Sequence, residues 1–178
     1  AFDDKLIILE RQGHIIPDRK IIKTPQQIEK IKESAKVNIA VLDYVGENIK
    51  AGMSTEEIDK MVYEKTTQMG GIPAPLGYEG FPKSVCTSIN DQVCHGMPSE
   101  EDILEEGDIV NVDCSTNLHG YFSDSSRMFC IGEIHEELKR LVDVTKECVQ
   151  KGLEQVNSLI SMVLMDVKKL RHILRIQF

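Results

Sequence analysis

The sequence predicts an α+β fold, an antiparallel sheet covered by helices, and three observations predict it. Apolar residues recur at steps of three and four between residues 28 and 69. Between 84 and 131 the pattern alternates with a period of two and is broken by turn residues. From 133 to 156 the helical spacing returns. Helices, then two hairpins, then a helix is the order of an α+β domain rather than of strands alternating with helices.

Taken in order, residues 1–23 read as an N-terminal extension. A short apolar run, Leu6–Leu9, is followed by the turn signals Gln12-Gly13-His14 and Pro17-Asp18. The first helix starts at Thr24-Pro25-Gln26-Gln27. Thr24 suits the N-cap, Pro25 the first helical position, and Gln27 closes a capping box. Its apolar stripe is Ile28, Ile31, Ala35, Ile39, Leu42, Val45 and Ile49, ending near Gly52. Ser54 and Glu57 begin a second helix in the same way, with Ile58, Met61, Val62 and Met69 as its stripe and Gly70-Gly71 as its stop. Residues 72–83 form a Gly/Pro-rich loop carrying Tyr78 and Phe81. Residues 84–90 and 92–95 read as one hairpin, and 108–115 with 121–131 as a second. A third helix spans Glu133 to Val156. Residues 157–178 differ in composition, with Asp166 the one acid against Lys168, Lys169, Arg171 and Arg175, and read as a basic amphipathic tail.

Composition excludes several classes. The 178 residues are 41% hydrophobic and 28% charged, which is globular rather than disordered. Against 21 Lys+Arg stand 29 Asp+Glu, a net charge of −8, so a nucleic-acid partner is not expected. No apolar run approaches the ~18–20 residues of a membrane span, and no membrane partner is expected. The first residues lack the basic region and cleavage site of a secretory signal. Five cysteines with no CxxC spacing fit a reducing, cytoplasmic setting.

The chemistry-bearing feature is the pair Asp113 and Asp124. With a two-residue turn at Leu118-His119, Asn117 faces Gly120, and the two aspartates fall directly opposite each other on one sheet face. Partners so placed have Cβ atoms ~4.5–5.5 Å apart, and like charges there repel. A divalent metal would offset that repulsion. A wet face, or a bulge that separates the pair, is the competing reading. His119 lies in the turn and reads as a surface residue. His95 ends a strand before Gly96-Met97-Pro98, a rim position from which an imidazole reaches a cleft. Tyr78 and Phe81 either wall a pocket or anchor the loop.

These residues stand in an ordered series. Gly77-Tyr78-Glu79-Gly80-Phe81-Pro82-Lys83-Ser84-Val85-Cys86, Ser88-Ile89-Asn90, Val93-Cys94-His95-Gly96-Met97-Pro98, Gly107 through Asp113, and Asp124 before Ser125-Ser126-Arg127-Met128-Phe129 closely resemble type I methionine aminopeptidase. The resemblance covers about residues 20–156. It implies the first half of a pita-bread fold, with residues 24–156 as the catalytic domain. It implies removal of the initiator Met from new polypeptides when the next residue is small. Asp113 and Asp124 would be metal ligands, His95 would contact substrate near the scissile amide, and Tyr78, Phe81 and Cys86 would line the methionine pocket. The complete family site holds two divalent ions, for which Mn, Fe, Co or Zn are suitable.

The family's other ligands, one His and two Glu, match no segment after Val156, and His172 takes no ligand role. The sequence reading therefore expects a truncated chain with weak or partial metal binding and weak or no activity. It also expects an uncovered half-fold surface open to self-association. Two other readings share the scaffold: a non-catalytic pita-bread-like binding module, and a proline-specific metallopeptidase. Intact Asp113, Asp124 and His95 argue against the first, and the motifs from Tyr78 to Cys86 and Val93 to Pro98 against the second.

Overall fold

The computed structural model describes residues 2–13 and 22–160. Its elements are α1 (Phe2–Arg11), α2 (Pro25–Asn48), α3 (Thr55–Gln68), β1 (Ile72–Pro73), β2 (Cys86–Ile89), β3 (Ile109–Leu118), β4 (Tyr121–Cys130) and α4 (Glu136–Ile160). The long strand β3 is the axis of the sheet. One of its edges pairs along its whole length with β4. The other pairs with β2 over Val110–Asp113 and with β1 at Thr116–Asn117, so β2 and β1 lie end to end. Every pairing is antiparallel.

Both predicted capping boxes form. Gln27 N donates to Thr24 Oγ1 at 3.2 Å, and Thr24 N to Gln27 Oε1 at 2.8 Å. Ser54 and Glu57 reciprocate in the same way, at 3.2 and 2.8 Å. Each pair satisfies two backbone donors that a helix start leaves open. Helix α2 ends at Asn48, and Gly52 then makes a turn at φ +85°.

Helices α2 and α3 cover one face of the sheet. The core between them holds Val41, Leu42, Val45, Ile58, Val62, Val110, Val112 and Cys114. The buried side of α2 keeps Ala35, Leu42 and Val45 of the stripe read from the sequence but is shifted from the rest of it. Ser34, Val37, Asn38 and Val41 are buried, whereas Ile28, Ile31 and Ile39 are half-buried. The helix is rotated because β3 and β4 offer hydrogen-bonding partners to Ser34 and Asn38, so these polar residues can face the sheet without loss.

One further expectation is corrected. Residues 92–95 form no strand: β2 pairs with β3, and the 92–98 segment returns only to exchange single bonds, Thr87 N donating to Gly96 O at 2.8 Å and Gly96 N to Ser88 Oγ at 3.1 Å. The apolar run Leu6–Leu9 is helical, within α1, and leaves Ile7 and Ile8 exposed, as suits an arm. Among its described residues the third helix contributes none to the core cluster, and its Leu141 and Val144 are exposed. It extends to Ile160, and the rest of the basic tail lies outside the described residues.

Asp59 fastens the start of β2 to α3. Its Oδ1 accepts from Ser84 N at 2.6 Å, and neighbouring Lys83 pairs with Glu56. Burial raises the Asp59 pKa above its ordinary value, and the bond from Ser84 N–H only partly opposes this. Replacing Asp59 by Ala strands a buried N–H, and an expected loss of about 1–3 kcal/mol follows. A carboxyl whose folded pKa is raised contributes most below its unfolded value of 3.8, and that part is lost as pH rises through the folded value. Urea unfolding of parent and Asp59→Ala should therefore show the larger gap at pH ~3.5 than at pH ~7. A gap that widens towards neutral pH contradicts this sign.

Candidate functional site

The face of β3 turned away from α2 carries Asn111, Asp113, Ser115 and Asn117, alternating with the buried Val112, Cys114 and Thr116. Alternation puts successive side chains on opposite faces, so one strand feeds both the core and the site. The aspartates share this face, but not as direct partners. The turn is His119-Gly120, with φ of 54° and 85°, and Leu118 pairs with Tyr121. Both central residues of such a hairpin turn need positive φ, and glycine takes the second position without strain. Asp113 therefore faces Ser126, and Asp124 faces Ser115. The register differs from the expected one by two residues, an even number, so the side of the sheet is preserved while the aspartates become diagonal neighbours. Diagonal residues are typically ~7–8 Å apart at Cα, with the side chains still within reach of each other.

The electrostatics agree with that proximity. Burial raises the Asp113 pKa first, the Asp124 charge raises it further, and His95 acts in the opposite direction. Ser115 Oγ donates to Asp124 Oδ1 at 2.6 Å, which orients that carboxylate. His119 is exposed in the turn, as its position suggested.

A cavity of about 860 Å³ opens over this face. Tyr78, Phe81, Cys86, His95, Asp113 and Asp124 all line it. Residues from the 72–83 loop, β2, the 92–98 segment and both long strands thus meet at one place. The loop is shaped by Gly77 and Gly80, at φ +80° and +85°, around a single 3-10 turn at Tyr78–Gly80. Tyr78 is 69% exposed and Phe81 half-buried, so the wall is apolar but open. Burial pushes the Cys86 thiol up, with Asp113 and Cys94 adding to it, so Cys86 is a wall residue rather than a ready nucleophile. His95 has φ +57°, a conformation rare outside glycine, immediately before buried Gly96.

Sequence reasoning passed over Pro75, Glu79, Phe122 and Ser123, which also line the cavity. Phe122 and Ser115 were legible as same-face neighbours of the aspartates. Ser115's role as the partner of Asp124 depends on the register, which the glycine of the turn encodes. Pro75 and Glu79 carried no readable signal.

Among the described residues, no group of three or more His, Cys, Asp and Glu is placed to hold a metal ion. The donors present still suit one. Two carboxylates held on one face repel until a cation lies between them, and carboxylate oxygens are good donors for divalent ions. Two such donors alone leave a coordination shell open.

The model of metallopeptidase family M24 matches residues 29–171. The chain is 46% identical over 132 residues to methionine aminopeptidase 1B, chloroplastic, of Arabidopsis thaliana, covering 74% of this chain and 36% of that one. It is 42% identical over 135 residues to a methionine aminopeptidase of Clostridium acetobutylicum, covering 76% of this chain and 54% of that one. The crystal structure of methionine aminopeptidase from Rickettsia prowazekii superposes with a TM-score of 0.72 at 39% identity, over 74% of this chain and 53% of that one. The chain thus spans about a third to a half of the length of these relatives. The sheet with its helices matches that part of the pita-bread fold. No helix among the described residues is long and apolar enough to cross a membrane.

Proposed function

The chain belongs to metallopeptidase family M24, and from that membership we propose that it carries the first half of a metal-dependent aminopeptidase site that removes N-terminal methionine before a small residue. One observation carries the reading: a pair of same-face carboxylates and an apolar wall open into one cavity. The relatives' names supply the substrate, and the wall supplies a physical reason for it. A methionine side chain is flexible and polarisable, and its sulfur makes favourable contacts with aromatic rings such as Tyr78 and Phe81. Cys86 closes the same wall.

In this reading Asp113 and Asp124 hold divalent cations, with Ser115 orienting Asp124. Bound there, the ions supply a Lewis acid for the amide carbonyl and lower the pKa of water. The residues of this chain do the rest of the positioning. The carboxylates fix where the reacting amide lies, and the Tyr78–Phe81 wall takes the side chain. His95, which lines the cavity, would hydrogen-bond the peptide beside the scissile bond. Two carboxylates bind such ions weakly, so low affinity and slow turnover are expected of these donors alone.

The relatives named as enzymes, and the presence of both carboxylates and the imidazole, favour this reading over a binding module. The test is Met release from a Met-Ala-Ser peptide by the purified chain, with Mn²⁺ or Co²⁺ added, alongside calorimetric titration with each ion. Release that stops with EDTA and with Asp113→Ala supports the reading. Release indifferent to Asp113, or no metal binding that Asp113 affects, overturns it.

A further inference from the structure

The face of the sheet opposite the cavity holds a buried polar side chain that the proposed chemistry does not use. Asn38, in the middle of α2, is 1% exposed. Its Nδ2 donates to Cys114 O at 2.7 Å and to Thr116 Oγ1 at 3.2 Å. Its Oδ1 accepts from Ser125 Oγ. Cys114 and Ser125 are cross-strand partners, and they are the residues that follow Asp113 and Asp124. One amide therefore ties β3 and β4 together at the rung beside both carboxylates, from behind.

Such an arrangement needs an explanation. An amide buried in a helix–sheet interface is costly unless every polar atom finds a partner, and an apolar residue would fill the site at less risk. The aspartates provide a reason. Two like charges on neighbouring strands push those strands to shear or spread, and the backbone ladder alone must resist them. A cross-link on the other face opposes that movement without entering the cavity.

We propose that Asn38 is a positioning residue, holding β3 and β4 so that the Asp113 and Asp124 carboxylates keep their separation. As a statement about metal ligands this rests on the site reading above. As a statement about strand geometry it does not.

The fold contains its own control. Ser34, one helical turn earlier and equally buried, makes a similar clamp at the next rung of the same face. Its Oγ donates to Thr116 O at 3.1 Å and lies 2.8 Å from Ser123 Oγ. Thr116 and Ser123 are partners too, and their rung borders Asp124 through Ser123 but not Asp113. A merely structural polar contact should behave alike at both positions.

The test is a double-mutant cycle in metal-free buffer, read by thermal unfolding. Asp113→Asn removes one of the repelling charges and should raise Tm by about 2–4 °C. In the Asn38→Ala background, where the strands can already relax, that rise should fall to less than half. In the Ser34→Ala background it should persist in full. An equal rise in the parent and in Asn38→Ala overturns the proposal, as does no rise in the parent. If Asn38→Ala does not fold, Ser125→Ala replaces it and removes only the bond to β4. A second arm measures Co²⁺ affinity of the full chain. Asn38→Ala should weaken it about 10-fold, within the range known for outer partners of metal ligands, and Ser34→Ala by less than about twofold. Unchanged affinity in Asn38→Ala also overturns the proposal. If the parent binds no Co²⁺, the metal reading fails, and the cycle still decides whether Asn38 holds the carboxylates.

Discussion

Asp113→Asn is expected to lower metal affinity and metal-dependent Met release while making the metal-free chain more stable. The two effects have one origin. Asp113 is half-buried, burial raises its pKa, and the Asp124 charge raises it further. Taking a separation of ~7 Å and an effective dielectric of ~20, the repulsion is about 2 kcal/mol. Asp124 is exposed, and solvent screening reduces this to about 1 kcal/mol. That corresponds to a rise of about 2–4 °C in Tm for a chain of this size. With a cation present the balance reverses. In the proposed site, the charge that destabilises the metal-free chain would hold the ion, and an amide oxygen is a weaker donor. Loss of a direct ligand should exceed the ~100-fold upper figure for outer partners. Unfolding in EDTA and Co²⁺ titration of the same pair of proteins check both halves. A variant that loses stability in EDTA would show that the pair is not repulsive.

Gly96→Ala carries the second large effect. A Cβ at Gly96 would lie 1.9 Å from the Thr87 carbonyl oxygen and 2.8 Å from its carbon. Both are backbone atoms of β2, which is paired with β3, so neither can yield without disturbing the ladder. The 94–98 segment must move instead, and with it go the Thr87–Gly96 bond and the seat of His95. Overpacking of this kind costs about 1–3 kcal/mol, or roughly 2–12 °C in Tm. Misplacing a substrate-contacting group by ~1 Å can cost ~100-fold in rate. Met release should therefore fall more steeply than stability. A kcat/KM within about twofold of the parent, with Tm lowered, would show that His95 does not position substrate.

Much of this was legible in the chain. Thr24/Gln27 and Ser54/Glu57 announced both helix starts, because a capping box is closed by residues three apart and owes nothing to the rest of the fold. Six candidate residues were named from spacing and family resemblance, and all six line one cavity. The side of the sheet on which the aspartates lie followed from alternation, and it survived a two-residue error in register. That error was avoidable, since Gly120 is the residue that the second turn position favours.

Other features could not be read from local pattern. The 92–95 segment alternates like a strand, yet β2 builds its ladder with β3, about twenty residues on, and meets the returning segment through single bonds at Gly96. Ser34 and Asn38 lie off the apolar stripe read for α2. They are buried because the carbonyls of Cys114 and Thr116 and the hydroxyls of Ser123 and Ser125 come to meet them across 76 to 89 positions of sequence. By itself, then, the sequence determined helices α2 and α3 with their starts, the existence of α4 and the two faces of the hairpin, which depend on residues within a few positions of one another. The tertiary structure decided which strand pairs with which, how α2 is rotated on the sheet, and that the aspartates lie diagonally over a buried amide. Those depend on hydrogen-bond partners that exist only once distant segments have met.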